Sequence, residues 1–308
     1  MWAALPALHY VALMQVLRIV GHPRYVGLSW TLLATAFPSH LVQAYMIVIC
    51  LWSARRLADN VRALKPTVAA VCAAHGGEAP SAFPGLDGLA GPLVLTVLVT
   101  IAQSADTAMK WGVVPAAMFF PYQALWVLPI MTLFWVYIAF LVGLDRLGRK
   151  RMTLGSFPED LSLGLGPIGA TVFHAFLILC AIAVPFLIVS LRDRLDLSIG
   201  LAFFGAGVGA FFLSTWRLHG QMVETKRKHV TRAGMLYAET YEPLGAQMTP
   251  QKLQACAPQL SAAEALVRRA SAIQEWPFDE RTMTRIVAIS TGVVTAVIAR
   301  SILSAVGL

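Results

Sequence analysis

The sequence predicts an all-α polytopic membrane bundle of six or seven transmembrane helices, with a cytoplasmic helical extension before the last span. Three observations predict it. Hydrophobic residues fill 57% of the 308 positions and charged residues only 13%, against about 25% charged in soluble domains. The apolar residues gather into runs near the roughly 20 residues that cross a hydrocarbon core. The basic residues cluster just beyond the ends of those runs, as the positive-inside pattern requires.

The elements follow in chain order. Residues 2–20 carry His9, Gln15 and Arg18, so this stretch either spans or lies in the interface as an amphipathic helix. No basic segment precedes it, and a cleavable signal is not expected. Residues 28–52 make a span with Pro38 inside it. In residues 53–74, Leu57, Val61, Leu64, Val68 and Val71 repeat at helical spacing, with Arg55, Arg56, Arg62 and Lys65 off that stripe. This predicts an amphipathic helix leaving the membrane. Residues 76–91 read as a loop, 92–107 as a short span, 108–121 as a connection and 122–144 as a strong span. Residues 145–160 are charged. The spans 168–189 and 197–216 flank a charged turn at 192–196, and Gly205-x-x-x-Gly209 permits close helix approach.

Residues 217–275 are polar, yet Leu218, Met222, Ala233, Leu236 and Tyr237 keep helical spacing, and Glu224 and Lys228 form an i, i+4 pair. Thr249-Pro250 opens a helix. Ser261-Ala-Ala-Glu264 reads as a capping box opening another. Leu260, Val267, Ala270 and Ile273 form one apolar stripe, so the section predicts a helical hairpin or a bundle between subunits. Asp279 is the expected N-cap of the final span, 283–303. The organisation is therefore transmembrane helices with the amphipathic helix over 1–216, a cytoplasmic helical section over 217–278, and the final span over 279–308.

Residues 53–90, 145–165 and 217–285 together hold 18 of the 24 Lys and Arg. Two spans separate each segment from the next, so all three fall on one side, which should be cytoplasmic. The C-terminus then lies outside. The N-terminus is inside if 2–20 spans and outside if it does not. The net charge of +8 follows this membrane pattern, and no nucleic-acid partner is expected. The Ala, Leu, Val and Gly bias, with Asn60 as the single asparagine, points to a high-GC bacterial genome, and a bacterial inner membrane is the expected location. Cys50, Cys72, Cys180 and Cys256 form no CxxC pair, so neither a disulfide framework nor a zinc site is expected.

Ionisable and polar groups within lipid are the first functional candidates. His40 and Gln43 lie one turn apart in the second stretch, and His174 lies within 168–189. The favoured reading is a neutral histidine hydrogen-bonded between helices rather than a haem ligand. Gln103, Asp106 and Lys110 share one face, with Asp106 and Lys110 spaced to pair; they read as an interfacial anchor or the mouth of a permeation path. On the last helix Ala288, Thr291, Gly292, Thr295, Ala296 and Ala299 line one side. Such a seam packs tightly on another helix or lines a wet path. A cytoplasmic cluster of Asp160, His219, Met222, Lys226 and Asp279 reads as a solvated helix face with caps, or as a ligand site. HExxH, GxSxG, Walker and GxGxxG motifs are absent, so an enzyme is not expected, and no metal or cofactor is.

The set Asp160…Gly164-Leu-Gly-Pro167-Ile-Gly169, His219-x-x-Met222-x-x-x-Lys226 and Trp276-Pro-Phe-Asp279 resembles patterns in uncharacterised bacterial multi-pass inner-membrane proteins, over the C-terminal half. The architecture is similar to that of insect odorant and gustatory receptor-like seven-helix channels. That resemblance implies a homo-oligomer with the last helix lining a pore. The aromatic and glutamine signature of that helix is missing here, because residues 283–308 hold no Tyr, Gln or Phe. The functional expectation is a homo-oligomeric ion channel or channel-like transport protein in a lipid bilayer, taking an ion or small ligand. The alternative is a non-conducting signalling or scaffold protein that uses its cytoplasmic helices.

Overall fold

A computed structural model of the chain describes residues 30–72, 83, 85–150, 152, 154, 160–190, 194–245 and 250–306. The stretch 2–20 lies outside the described residues, as do the side chains of His40 and Gln43. All regular structure among the described residues is helical: α1 (Trp30–Ala63), α2 (Lys65–Cys72), α3 (Ala90–Trp111), α4 (Val113–Arg149), α5 (Gly166–Ser190), α6 (Arg194–Gly245), α7 (Pro250–Ser271) and α8 (Glu280–Val306). Among the described residues, four segments are long and apolar enough to cross a membrane: Ala90–Trp111, Val113–Arg149, Gly166–Val184 and Glu280–Ala299.

The amphipathic stripe of 53–74 is buried as expected, at Leu57, Val61, Leu64, Val68 and Val71, while Arg55, Arg56, Arg62 and Lys65 are exposed. The connection expected over 108–121 is mostly helix instead. Only Gly112 interrupts it, at φ 96°, which glycine adopts without a Cβ penalty. Pro115 suits the first turn of α4, where its missing N–H has no helical partner anyway. Pro121 and Pro129 lie further inside α4. Each removes one ladder bond, a loss that a 37-residue helix absorbs.

A second correction concerns Ser261-Ala-Ala-Glu264. α7 runs through it without a break. Glu264 reaches forward to Arg268 at 2.9 Å rather than back to a cap. The same spacing serves either role, and the Ala- and Leu-rich surroundings favour continued helix. Ala263, outside the expected stripe, is buried, and the stripe itself is buried at Ala270 and Ile273 and half-buried at Leu260 and Val267. It packs α7 along α6, which forms the expected hairpin.

The chain forms two compact units, one of Met1–Asp59 with Pro84–Phe140 and one of Asn60–Phe83 with Leu141–Leu308. In the second, α6 packs on α5 as well as on α7, and α5 packs on α8. Phe176, Phe211, Leu218, Met222 and Ile286 are fully buried there. Phe211 meets Phe176 at 5.6 Å and stacks on Phe278 at 6.4 Å.

Candidate functional site

The expected cytoplasmic cluster converges on the eight residues, 272–279, between α7 and α8. Each member reaches them by a different local device. Asp160 starts the loop before α5. Its Oδ1 accepts from the Ser162 backbone N–H at 2.8 Å, and its Oδ2 accepts from Gly164 N–H at 2.8 Å. The Ser162 hydroxyl donates to Asp160 and accepts from Gly166 N–H at 3.1 Å, which satisfies a free donor of the helix start. Leu163 and Gly164 both take positive φ, 55° and 85°. Leu163 is fully buried, and that burial offsets its backbone strain. Burial pushes the Asp160 carboxyl up, but the bonds from Ser162 and Gly164 outweigh it and hold its pKa below the ordinary value. Its stabilisation of the loop is present above the unfolded value of about 3.9 and is lost as pH falls through the lower folded value.

The loop then holds the 272–279 segment. Gln274 N–H donates to the Leu161 carbonyl at 3.1 Å. At Gly169, three residues into α5, the Pro277 carbonyl lies where a Cβ would stand. Close backbone approach of this kind requires glycine.

From the other side, α6 presents His219, Met222 and Lys226 on one face. The His219 ring lies 4.2 Å from the Trp276 ring at 17°, a stacked pair. Its Nδ1 is 2.8 Å from the Glu275 carbonyl oxygen, so Nδ1 carries the proton and donates. Lys226 Nζ donates to Glu275 Oε1 at 3.0 Å. Met222, between His219 and Lys226 on the same helix face, is fully buried. Phe278 is buried, stacking on Trp276 at 5.6 Å. Asp279 Oδ1 accepts from Thr282 N–H at 2.9 Å and so caps α8 as expected. Hydrogen bonds from Thr282, with Arg281 and Arg285 nearby, hold its carboxyl below the ordinary range.

This arrangement is a mechanical joint: it ties the 160–166 loop, α6 and the start of α8 to one short segment. Among the described residues no group of His, Cys, Asp or Glu is placed to hold a metal ion. Glu275, Ser162 and Gln274 are contributors that the sequence did not mark. Gln221 is another, its Nε2 donating to the Gly148 and Lys150 carbonyls at the end of α4, at 2.6 and 2.7 Å. The contact runs over more than 70 positions, and no local pattern announces it.

The other candidates fall elsewhere. Asp106 and Lys110 pair at 2.7 Å as expected, beside Gln103 on α3. His174 is exposed and bonds the Ala170 carbonyl of its own helix at 2.9 Å. Among the described residues its Nδ1 bonds within its own helix rather than between helices as expected. Ala288, Thr291, Gly292, Thr295, Ala296 and Ala299 are all exposed on α8, and a Cβ at Gly292 would meet nothing. Compared with protein-family models, curated proteins and solved structures, the chain matches none.

Proposed function

We propose that this is an integral membrane protein that assembles as a homo-oligomeric channel or channel-like transport protein, with α8 beside the path. One observation carries the reading. The six small or hydroxylated residues of α8 are exposed in the single chain, while Ile286 and Val297 on its opposite side are buried. A helix facing lipid gains nothing from small and hydroxylated side chains there. A neighbouring subunit or a wet path does. The joint at 272–279 ties the start of this helix to the α6–α7 hairpin, which gives a cytoplasmic event a route to it. The seven-helix and six-helix schemes, the cytoplasmic hairpin, the outside C-terminus and the bacterial inner membrane belong to the same proposal.

Thr295→Trp tests the path. It should leave the oligomer intact and abolish flux in liposomes. An intact, conducting Thr295→Trp oligomer removes α8 from the path. Wild-type liposomes that pass no cation, anion or small solute count against conduction altogether. The topology has its own test. Cysteines at Ala74, Ser156 and Ala246 should be shielded from an impermeant thiol reagent in intact cells, while one at Asp193 reacts. Labelling of Ser156→Cys from outside overturns the scheme.

A non-conducting scaffold is the second reading. It is favoured by Met235, Leu236, Tyr241 and Leu266, large apolar side chains left exposed on the polar hairpin. It requires a bound partner on that face and silent liposomes.

A further inference from the structure

Within the first compact unit, α3 and α4 border a wide-open cleft of about 460 Å³ lined by Gln103, Asp106, Thr107, Tyr122, Gln123 and Trp126. Its volume lies in the range of small-molecule sites. Its chemistry is concentrated. Asp106 and Lys110 are the only charged residues between Ala90 and Leu144. Gln123 is the only carboxamide of α4. Ionisable groups within apolar helices mark functional sites by default.

The geometry shows a braced wall rather than a loose polar patch. Gln123 Oε1 accepts from Ser104 Oγ at 2.8 Å, and its Nε2 donates to Thr107 Oγ1 at 3.2 Å. Thr107 Oγ1 in turn donates to the Gln103 carbonyl at 2.8 Å. These bonds cross from α3 to α4 and fix the floor of the cleft. Tyr122 is buried and held edge-on by Phe119, 6.5 Å away. Trp126 and Tyr122 supply two aromatic rings, and Asp106 supplies the one charge that lines the cleft.

We propose that this cleft binds an organic ammonium ion. The carboxylate of Asp106 is the counter-charge, and Tyr122 and Trp126 offer the π faces that attract alkylammonium groups. A divalent metal is a poor match, because Gln123 Oε1 and Thr107 Oγ1 are already engaged in hydrogen bonds and Asp106 is the one carboxylate in the lining. An anion is repelled by Asp106. An uncharged apolar ligand leaves that carboxylate without gain. Lys110 already pairs with Asp106, but both side chains are more than half exposed near the end of α3 at i, i+4 spacing, and exposed pairs of this kind hold weakly. A second cation then competes with Lys110 for the Asp106 carboxylate. The inference does not depend on conduction: the cleft serves a channel's ligand, a transported solute or a scaffold's signal equally. The ammonium group can come from a free amine or from a lipid headgroup.

The test uses the full chain in nanodiscs of phosphatidylglycerol, which carries no ammonium group, with choline binding followed by calorimetry. Choline should bind, and its uncharged carbon isostere, dimethylbutanol, should not. Asp106→Asn should weaken choline binding about tenfold or more. Trp126→Leu should weaken it as well. Lys110→Ala should strengthen it, a gain that misfolding cannot imitate. Equal binding by choline and its isostere, by wild type and Asp106→Asn, or no choline binding at all, overturns the proposal. Repeating the titration in phosphatidylcholine nanodiscs identifies the source. A fall in apparent choline affinity there assigns the site to a lipid headgroup, and an unchanged affinity assigns it to a free amine; both keep the ammonium site.

Discussion

Gly169→Ala is expected to destabilise the protein by about 3 kcal/mol or more, although the same change usually stabilises a helix. Two effects oppose each other. Replacing glycine within a helix gains about 0.5–1 kcal/mol from backbone entropy and propensity. At Gly169 the new methyl group would overlap the Pro277 carbonyl oxygen, stand 2.6 Å from its carbon and 3.1 Å from Phe278 N. These are backbone atoms, held in place by the buried Pro277 and Phe278 side chains, so nothing flexible can turn aside. The clash therefore wins. The protein should melt earlier in detergent, and limited proteolysis should cut near Trp276. Gly234→Ala supplies the contrast, since a Cβ there meets nothing within 4 Å. It should melt at the wild-type temperature or slightly above. A Gly169→Ala protein that behaves like Gly234→Ala would show that the 272–279 segment does not cross α5 here.

Met222→Asp is expected to have the second large effect, several kcal/mol at neutral pH, because a charge enters a site with no solvent exposure. The sign of its pH dependence is opposite to that of the native Asp160. Burial raises the folded pKa of the new carboxyl above the unfolded value of about 3.9. The penalty is then smallest below the unfolded value and grows as pH rises towards the folded one. Met222→Leu should cost less than about 1.5 kcal/mol, since it keeps volume and polarity. Melting curves from pH 4 to pH 8 should separate the two variants increasingly. Parallel curves would mean that position 222 is not buried in the folded protein.

Much of the helical plan is legible in the sequence because it rests on periodicity. The stripe from Leu57 to Val71 and the one through Ala270 and Ile273 are both apolar at the spacing that buries one helix face. Short-range polar signals are read less evenly. Asp279 caps α8 as its position suggests, whereas Ser261 sits mid-helix, because Ser-x-x-Glu satisfies a forward ion pair as well as a cap. The 108–121 stretch misleads for a related reason. Gly112, Pro115 and Pro121 are all breakers in isolation, yet only glycine at positive φ breaks this chain. The joint was half visible. His219, Met222, Lys226 and Asp160 carry distinctive side chains, while Glu275 and Pro277 contribute largely through main-chain carbonyls, which every residue possesses. The α3–α4 cleft shows the same division: Asp106 and Lys110 stand out as charges, and Gln123 gains meaning only when it bonds Ser104.

α6 is continuous over 52 residues from Arg194 to Gly245, with its apolar first half and its polar second half in one rod. At 1.5 Å per residue it is about 78 Å long. Leverage follows from that length alone. A tilt of about 5° at one end carries the other end through roughly 7 Å, more than a full helical turn of about 5.4 Å. His219 and Lys226 grip the segment before α8 near the middle of this rod, where the same tilt moves it about half as far. Pivoted at its Arg194 end, such a rod would pass a displacement of its far end to the start of α8 at about half the size and with about twice the force.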